Sequence, residues 1–390
     1  MSSVLAATRS PRPTSRPASR VASPRAVRAW LYGLACTVML MIAIGGATRL
    51  TGSGLSITEW KPVTGAVPPL SETGWAGEFE KYRASSQYRN LSRGMELPEF
   101  KTIYWWEWSH RQLGRAIGLF FFGPLLWFWV SGAVTGRFAL KLVGIGALGG
   151  LQATVGWIMV ASGLEPGMVA VAPVKLTLHL VLASAILALL VWIAAGLKAT
   201  GARAVRLPTH PGKADGSPAW ARVAAFAFLG LVLVQIALGG LVAGSRAGLT
   251  YNTWPLMDGR VAPPADTLFA MRPWIDNLVA NPALVQLNHR LTAYLVVAVA
   301  LWQVWAWRRA DAGSAGAWRA TGLAGLALAQ MTLGIATLLL TVPLWAGLSH
   351  QILAMCLVAG GTYHARLSRP FRSPVAASAP PPPVSMAASR

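Results

Sequence analysis

The sequence predicts an all-α polytopic membrane protein whose eight transmembrane helices form two pseudo-symmetric four-helix bundles, arranged as a tandem parallel repeat. Of the 390 residues, 54% are hydrophobic and only 12% are charged, and the mean hydropathy is +0.48. Apolar stretches of about 20 residues, the length that a helix needs to cross a bilayer, recur along the chain. Helices are expected because lipid offers no partners to unpaired backbone groups.

Eight apolar segments reach this length. The second and sixth are the least sharply bounded, because polar residues crowd their first turns. In chain order the predicted spans are 30–47, 110–131, 142–162, 173–197, 222–243, 286–307, 319–340 and 345–364.

The net charge of +21 raises the possibility of a nucleic-acid partner, but its distribution argues against one. Basic residues concentrate before the first span, in alternate loops and after the last span. In the loop that follows the first span, glutamates balance the charge of the basic residues. This pattern is the positive-inside signature of a membrane protein. It predicts a lipid bilayer as the partner, no nucleic acid, and both termini in the cytoplasm.

The first 29 residues are rich in Arg, Ser and Pro and lack acidic residues, as a mitochondrial transit peptide does. Four prolines disfavour the amphipathic helix that such a peptide needs. We therefore predict a disordered cytoplasmic tail on a bacterial inner-membrane protein. Both cysteines, Cys36 and Cys356, lie inside predicted spans, so no structural disulfide is expected.

The chain contains an internal duplication. GGATRLTGSGLSITEWKPVTGAVPP, starting at Gly45, matches GGLVAGSRAGLTYNTWPLMDGRVAPP, starting at Gly239. Three shorter matches follow in the same order: SHR with NHR, QATVG with QMTLG, and LH with SH. Chance similarity between Gly-rich membrane segments is the alternative, and ordered matches with polar landmarks disfavour it. An even number of spans in each copy gives both copies the same orientation.

The duplication predicts five segments. Residues 1–29 form the basic tail, 30–197 the N-terminal four-helix bundle, 198–221 a cytoplasmic linker, 222–365 the C-terminal bundle and 366–390 a second disordered tail.

Four of the six histidines lie in membrane spans at equivalent places: His110 and His179 in the first half, His289 and His350 in the second. Spans two, four, six and eight run from outside to inside, and their histidines fall early in each. At 1.5 Å per residue, a histidine six or seven residues into a helix lies roughly 10 Å from its start. The four rings are therefore expected at similar depth, towards the periplasmic side.

Two imidazoles on different helices of one bundle can bind a haem iron from opposite sides, and bundle cores are where such sites are built. A lone membrane histidine is more often a polar group bonded to a neighbouring helix. Four at matched depth favour function, because ionisable groups in lipid are costly. Zinc and copper are disfavoured, since no thiolate or carboxylate cluster completes a ligand set.

Arginines accompany two of these histidines: Arg111 and Arg115 follow His110, and Arg290 follows His289. Haem propionates would give them charged partners, whereas extension towards lipid headgroups is the alternative. The QATVG and QMTLG segments and the Gly-Gly pairs are interpreted as small-residue faces that let helices pack closely.

One carboxylate breaks the duplication. Glu107 precedes His110 by three residues and so shares its helix face, whereas Gln286 stands at the matching position before His289. A carboxylate beside one site only suggests that one half performs proton-coupled chemistry and the other carries electrons. The alternative is a helix-start carboxylate favoured by the helix dipole.

These motifs resemble a known family. GGATRLTGSGLSITEWKPVTGAVPPL, EWSHRQLGR and the paired histidines are similar to haem A synthases of the proteobacterial and mitochondrial type, over about residues 30–365. The resemblance implies oxidation of a methyl group of haem O to a formyl group by successive hydroxylations, giving haem A for terminal oxidases. It also implies haem O synthase, terminal-oxidase assembly factors and an unidentified electron donor as partners.

By the same resemblance, His110 and His179 would hold the iron of the substrate haem, and Glu107 would be the essential carboxylate. His289 and His350 would hold the iron of a haem B cofactor. Some relatives carry a cysteine pair in the first outer loop. Here no cysteine lies between Thr48 and Trp106, so no such role transfers.

Two other functions remain open on the residues alone. A bis-histidine di-haem cytochrome linked to quinol would explain the duplicated histidines but not the Glu107/Gln286 difference. A transporter with histidine proton relays would explain the parallel repeat, but acidic relay residues are lacking within the spans.

Overall fold

The computed structural model describes residues 24–197, 217 and 219–368. Eight long helices within this part of the chain are long and apolar enough to cross a membrane. They are α1 (Pro24–Leu50), α4 (Leu97–Val130), α5 (Gly136–Gly163), α6 (Pro173–Gly196), α7 (Ala219–Gly244), α10 (Pro282–Asp311), α11 (Ala315–Leu339) and α12 (Leu344–Leu367). The eight predicted spans are confirmed as helices.

Short helices lie in the two longest connections. The connection from α1 to α4 contains α2 (Glu72–Arg83) and α3 (Ser86–Leu91), and that from α7 to α10 contains α8 (Ala265–Leu268) and α9 (Asp276–Val279). We call residues 51–71 the first loop and residues 245–264 the second loop. These are the segments that the duplicated GG motifs lead into.

Helix α4 begins thirteen residues before the predicted span. Glu96 caps it in a reciprocal capping box with Glu99, and Pro98 stands in its first turn, where a missing N–H costs nothing. The added turns bury Phe100 and Tyr104 against Trp75 of α2. Hydropathy misses this extension, because it packs on other protein segments through scattered aromatic residues.

Other boundaries differ slightly. Helix α1 begins at Pro24, so residues 24–29, assigned above to the basic tail, are helical, and α7 begins at Ala219, inside the predicted linker. The C-terminal tail was predicted from 366, and α12 continues to Leu367. Apart from residues 217 and 368, the remainder of both tails and of the linker lies outside the described residues.

Helices at equivalent places in the two halves have equivalent neighbours. In the first half α1 packs on α4 and α6, and α5 packs on α6. In the second half α7 packs on α10 and α12, and α11 packs on α12. One difference stands out: α4 and α5 touch over a far shorter stretch than α10 and α11. The symmetry of the two bundles itself stays a prediction from the sequence.

The halves share one apolar core. Helix α6 packs on both α7 and α12, and α1 packs on α12. Leu34 of α1, Leu187 of α6, Phe228 of α7 and Val358 of α12 are fully or almost fully buried in one continuous cluster. This shared core fixes the two bundles side by side.

Glycines permit a close approach of α6 and α7, which belong to different halves. A Cβ atom at Gly244 of α7 would lie 2.6 Å from the Cα atom of Pro173, and one at Gly240 would lie 3.1 Å from the Cα atom of Thr177. Both neighbouring atoms are α6 backbone, which cannot move aside as a side chain can. The α6–α7 spacing therefore depends on glycine at these positions.

We expect Gly244→Ala to destabilise the protein by about 1–3 kcal/mol, because the new methyl group forces α6 and α7 apart. Thermal unfolding of the detergent-solubilised protein measures this change. The control is Gly230→Ala on the same helix, where a Cβ atom meets nothing within 4 Å. Equal melting temperatures for the two variants would contradict the proposed contact.

Candidate functional site: paired membrane histidines

Each of the four membrane histidines faces a glycine of the preceding long helix. A Cβ atom at Gly45 would lie 2.9 Å from Nε2 of His110. A Cβ atom at Gly156 would lie 2.8 Å from Cε1 of His179. The equivalent distance would be 3.2 Å from Gly239 to His289 and 2.7 Å from Gly334 to His350. Any larger residue would occupy the place of the ring. The glycines thus leave room for half-buried imidazoles inside the bundles.

A glutamine four residues before the glycine contacts three of these histidines. The side-chain nitrogen of Gln152 donates to the backbone oxygen of His179 at 3.0 Å and lies 3.1 and 3.2 Å from its ring nitrogens. Gln235 does the same at His289, with distances of 3.0, 3.0 and 3.3 Å. Gln330 donates to the backbone oxygen of His350 at 2.9 Å and lies 3.3 Å from Nε2.

Within each half the two histidine rings lie near each other. The His110 ring lies within electrostatic range of His179, and the His289 ring within range of His350. Each pair joins two helices of the same half, α4 with α6 and α10 with α12. Within the described residues no group of three or more His, Cys, Asp and Glu side chains could hold a metal ion.

Glu107 is buried, and both of its carboxylate oxygens have hydrogen-bond partners. Its Oε2 atom accepts hydrogen bonds from the Ser56 hydroxyl and the Ile57 backbone N–H, both at 2.8 Å, and its Oε1 atom pairs with Arg111 at 2.6 Å. The Glu107 side chain is 4% exposed. Three donors satisfy a carboxylate that would otherwise be costly to bury. One turn before His110, it therefore fastens the first loop to α4.

The second half repeats this arrangement without the carboxylate. Gln286 donates to the backbone oxygens of Ala247 at 2.8 Å and Tyr251 at 3.3 Å, and it accepts from Arg290 at 3.3 Å. Gln286 is as buried as Glu107. In both halves, then, residues three before and one after the first histidine fasten the loop that follows the preceding long helix.

The arginines bind these loops. Arg111 donates to the backbone oxygens of Ile57 at 2.9 Å and Glu59 at 3.0 Å, and Arg115 to those of Pro62 and Lys61 at 2.9 and 3.0 Å. Arg290 donates to Tyr251 at 2.9 Å. The sequence analysis paired all three with haem propionates. It did not anticipate these bonds, which arise because loop carbonyls outside regular structure need donors.

A charge network holds the first loop against α2. Lys61 and Lys81 contact Glu59 at 2.5 and 2.7 Å, and Lys81 also contacts Glu78 at 2.8 Å. The lysine hydrogen bonds lower the pKa of Glu59 to about 2. The Glu59 carboxylate therefore supports the fold above its unfolded-state pKa, and this contribution is lost only as the pH falls towards 2.

The sequence analysis missed the role of the Gln-x-x-x-Gly segments, which it assigned to helix packing alone. Gln152, Gln235 and Gln330 each touch a membrane histidine, and the glycines make room for the rings. The available signal was the recurrence of this spacing in the long helix before three of the four histidines.

The fold and site together define a polytopic helical membrane protein with two helix-borne histidine pairs, only one of which has a carboxylate beside it. The chain matches the family model of the cytochrome oxidase assembly protein over residues 28–360. This protein belongs to that family, the family of the haem A synthases.

Curated relatives agree over almost the whole chain. The haem A synthase of Methylobacterium sp. (strain 4-46) is 61% identical over 353 residues, covering 90% of this chain and 94% of the relative. That of Methylobacterium radiotolerans is 59% identical over 357 residues, covering 92% and 94%. That of Beijerinckia indica is 50% identical over 343 residues, covering 87% and 92%.

The two loop attachments allow a matched prediction. Arg111→Gln leaves a buried carboxylate without its cation, and we expect a loss of about 3 kcal/mol. Arg290→Gln leaves only a neutral amide, and we expect a loss of about 1 kcal/mol. Thermal unfolding of both variants in the same detergent measures the difference. Equal losses would show that the Glu107–Arg111 charge pair does not stabilise the first loop.

Proposed function

We propose that this protein oxidises the methyl group of haem O to a formyl group and so produces haem A. In this proposal His110 and His179 hold the iron of the substrate haem, and His289 and His350 hold the iron of a haem B cofactor. The observation that carries it is the presence of two histidine pairs, of which only the first has a buried carboxylate one helical turn away. Membership of the haem A synthase family supports the same reaction.

The residues present fit a haem better than a bare metal ion. A tetrahedral zinc site needs at least three protein ligands, whereas a porphyrin supplies four nitrogens and leaves two positions for imidazoles. Four glycines keep the ring positions clear, since a Cβ at any of them would lie 3.2 Å or less from a ring. When bound, the haems supply redox chemistry that amino-acid side chains lack.

Buried atoms without partners mark where a haem could be recognised. Nε of Arg290 and Nδ1 of His350 have no hydrogen-bond partner among the described residues. A propionate would satisfy the first, a charge-assisted bond. We therefore retain Arg290 as a propionate-binding residue of the cofactor site. Arg111 and Arg115 are assigned to the substrate site because they are charged and follow His110 closely on α4, in addition to their loop contacts.

Differences between the halves support placing the substrate in the first. The α4–α5 contact is short. The corresponding α10–α11 contact is extensive. A substrate must enter and leave, whereas a cofactor can stay enclosed. A less tightly packed bundle suits a substrate haem that must enter and leave.

Glu107 is assigned the handling of protons beside the substrate. Its oxygens can bind or release a proton, and they accept hydrogen bonds from Arg111, Ser56 and the Ile57 N–H. Gln286 cannot do this, which suits a half that only relays electrons. Because the carboxylate also fastens the first loop, protonation at Glu107 would loosen that loop.

For the cellular setting we propose the bacterial inner membrane, with both termini in the cytoplasm and the haem sites towards the periplasm. The distribution of Lys and Arg between alternate loops supports this orientation. Haem O synthase, terminal-oxidase assembly factors and an electron donor are the partners that this reaction requires.

Extraction and separation of the haems bound to the purified protein tests the reaction. We expect haem B together with haem O, a hydroxylated intermediate or haem A. A di-haem electron-transfer cytochrome would instead carry two equivalent haems that are not converted. A preparation without haem absorbance, from cells supplied with iron and porphyrin, would exclude both functions.

We expect Glu107→Gln to abolish haem A formation while the protein keeps its haem. The amide retains the volume of the side chain and one acceptor oxygen but cannot take up a proton. Chromatography of extracted haems measures the product, and the absorption spectrum measures haem retention. Ser56→Ala is the control, because it removes one loop hydrogen bond and leaves the carboxylate. Normal haem A accumulation in Glu107→Gln would refute the assigned role.

We expect Gly156→Ala to weaken haem retention in the first half roughly fivefold, because its methyl group would push the His179 ring out of its rotamer at a cost of about 1 kcal/mol. Haem per protein, measured as the pyridine haemochrome, reports the loss. Gly149→Ala on the same helix is the control, since its Cβ meets nothing within 4 Å. Similar haem content in the two variants would contradict the contact.

A further inference from the structure

His110 differs from the other three membrane histidines in its immediate neighbour. Gln152, Gln235 and Gln330 each stand four residues before a ring-facing glycine. Four residues before Gly45, the residue is Met41. A Cβ atom at Gly114, one turn after His110, would lie 3.4 Å from the Met41 methyl carbon. The thioether of Met41 therefore lies beside α4. In the other three helix pairs, a glutamine amide stands at the equivalent position of the sequence.

The amides restrain the rings that they touch. Each glutamine nitrogen donates to the backbone oxygen of its histidine at 2.9–3.0 Å and lies 3.0–3.3 Å from at least one ring nitrogen. Fastening the backbone and the ring from one point limits rotation of the side chain. Groups bonded to a ligating histidine orient its ring in the same way.

Met41 cannot supply this restraint. A thioether has no N–H to donate, and its three rotatable bonds make it an adaptable neighbour. The structure records no hydrogen bond to either ring nitrogen of His110 from the residues it describes. The helix that carries His110 is also the one with the short contact to α5. Ligand and helix are thus both less restrained than their counterparts in the second half.

We propose that His110 is the releasable ligand of the substrate haem, and that Met41 is the positioning residue that leaves it free to turn. His179 stays fixed by Gln152 and keeps one side of the site formed while the substrate exchanges. His289 and His350, each fixed by an amide, hold the cofactor haem permanently. This inference rests on the proposed function, because it needs a haem between His110 and His179.

The test is the rate of haem loss from the intact purified protein, followed by transfer to excess apomyoglobin. We expect a fast phase from the first half and a slow phase from the second. Met41→Gln supplies the missing amide and should slow the fast phase about fivefold, which corresponds to ~1 kcal/mol for one added hydrogen bond. Met41→Leu, which adds no donor, should leave this phase within about twofold of the parent rate.

A swap separates the amide from a general change in packing. The double variant Met41→Gln with Gln152→Met moves the restraint from His179 to His110 and should restore fast loss. Gln330→Met should accelerate only the slow phase. If Met41→Gln does not slow the fast phase, or if Met41→Leu slows it equally, the inference is wrong.

Failure of the proposed function gives a different result. His179→Ala should remove the fast phase altogether if the first half holds a haem. If it removes neither that phase nor any bound haem, the haem site proposed for the first half is wrong. If His179→Ala removes the phase but Met41→Gln does not slow it, only the role of Met41 is wrong.

Discussion

An imidazole placed inside a bundle of apolar helices needs space and a polar partner, and both must come from neighbouring helices. Here the space comes from glycines that bring the preceding helix to within contact of each ring. In three cases the partner is a glutamine one turn earlier on that same helix. Spacing of four residues puts amide and glycine on one helix face. The position of each ring therefore follows from the packing of two helices.

The two halves share this arrangement of helices and differ in a few side chains near the histidines. The first half has Glu107 paired with Arg111, whereas the second has Gln286 with Arg290. The first half has Met41 where the second has Gln235. Its α4–α5 contact is short, whereas α10 and α11 pack extensively. These differences give the first half a buried ion pair and less restraint, and they support the proposal that this half holds the substrate.

The sequence predicted the eight spans, the candidate histidines and the Glu107/Gln286 difference, because hydropathy and internal repetition are readable along one chain. It did not predict that Gln152 touches His179, since that contact depends on which faces of α5 and α6 meet. The early start of α4 lies outside the hydropathy pattern for a related reason: Phe100 and Tyr104 are buried by α2 rather than by lipid. The loop contacts of Arg111 likewise depend on carbonyls from residues more than fifty positions away.

The attachment of the first loop has a consequence for the candidate site. Glu107 and Arg111 flank His110 on the same two turns of α4, and together they hold Ile57 by its N–H and its carbonyl oxygen. A displacement of this loop must either break a buried ion pair or move the helix turn that carries His110. Breaking the pair is costly in a buried setting. The first loop and the His110 turn are therefore mechanically linked, and the Gln286–Arg290 attachment, which lacks a carboxylate, makes the same link weaker in the second half.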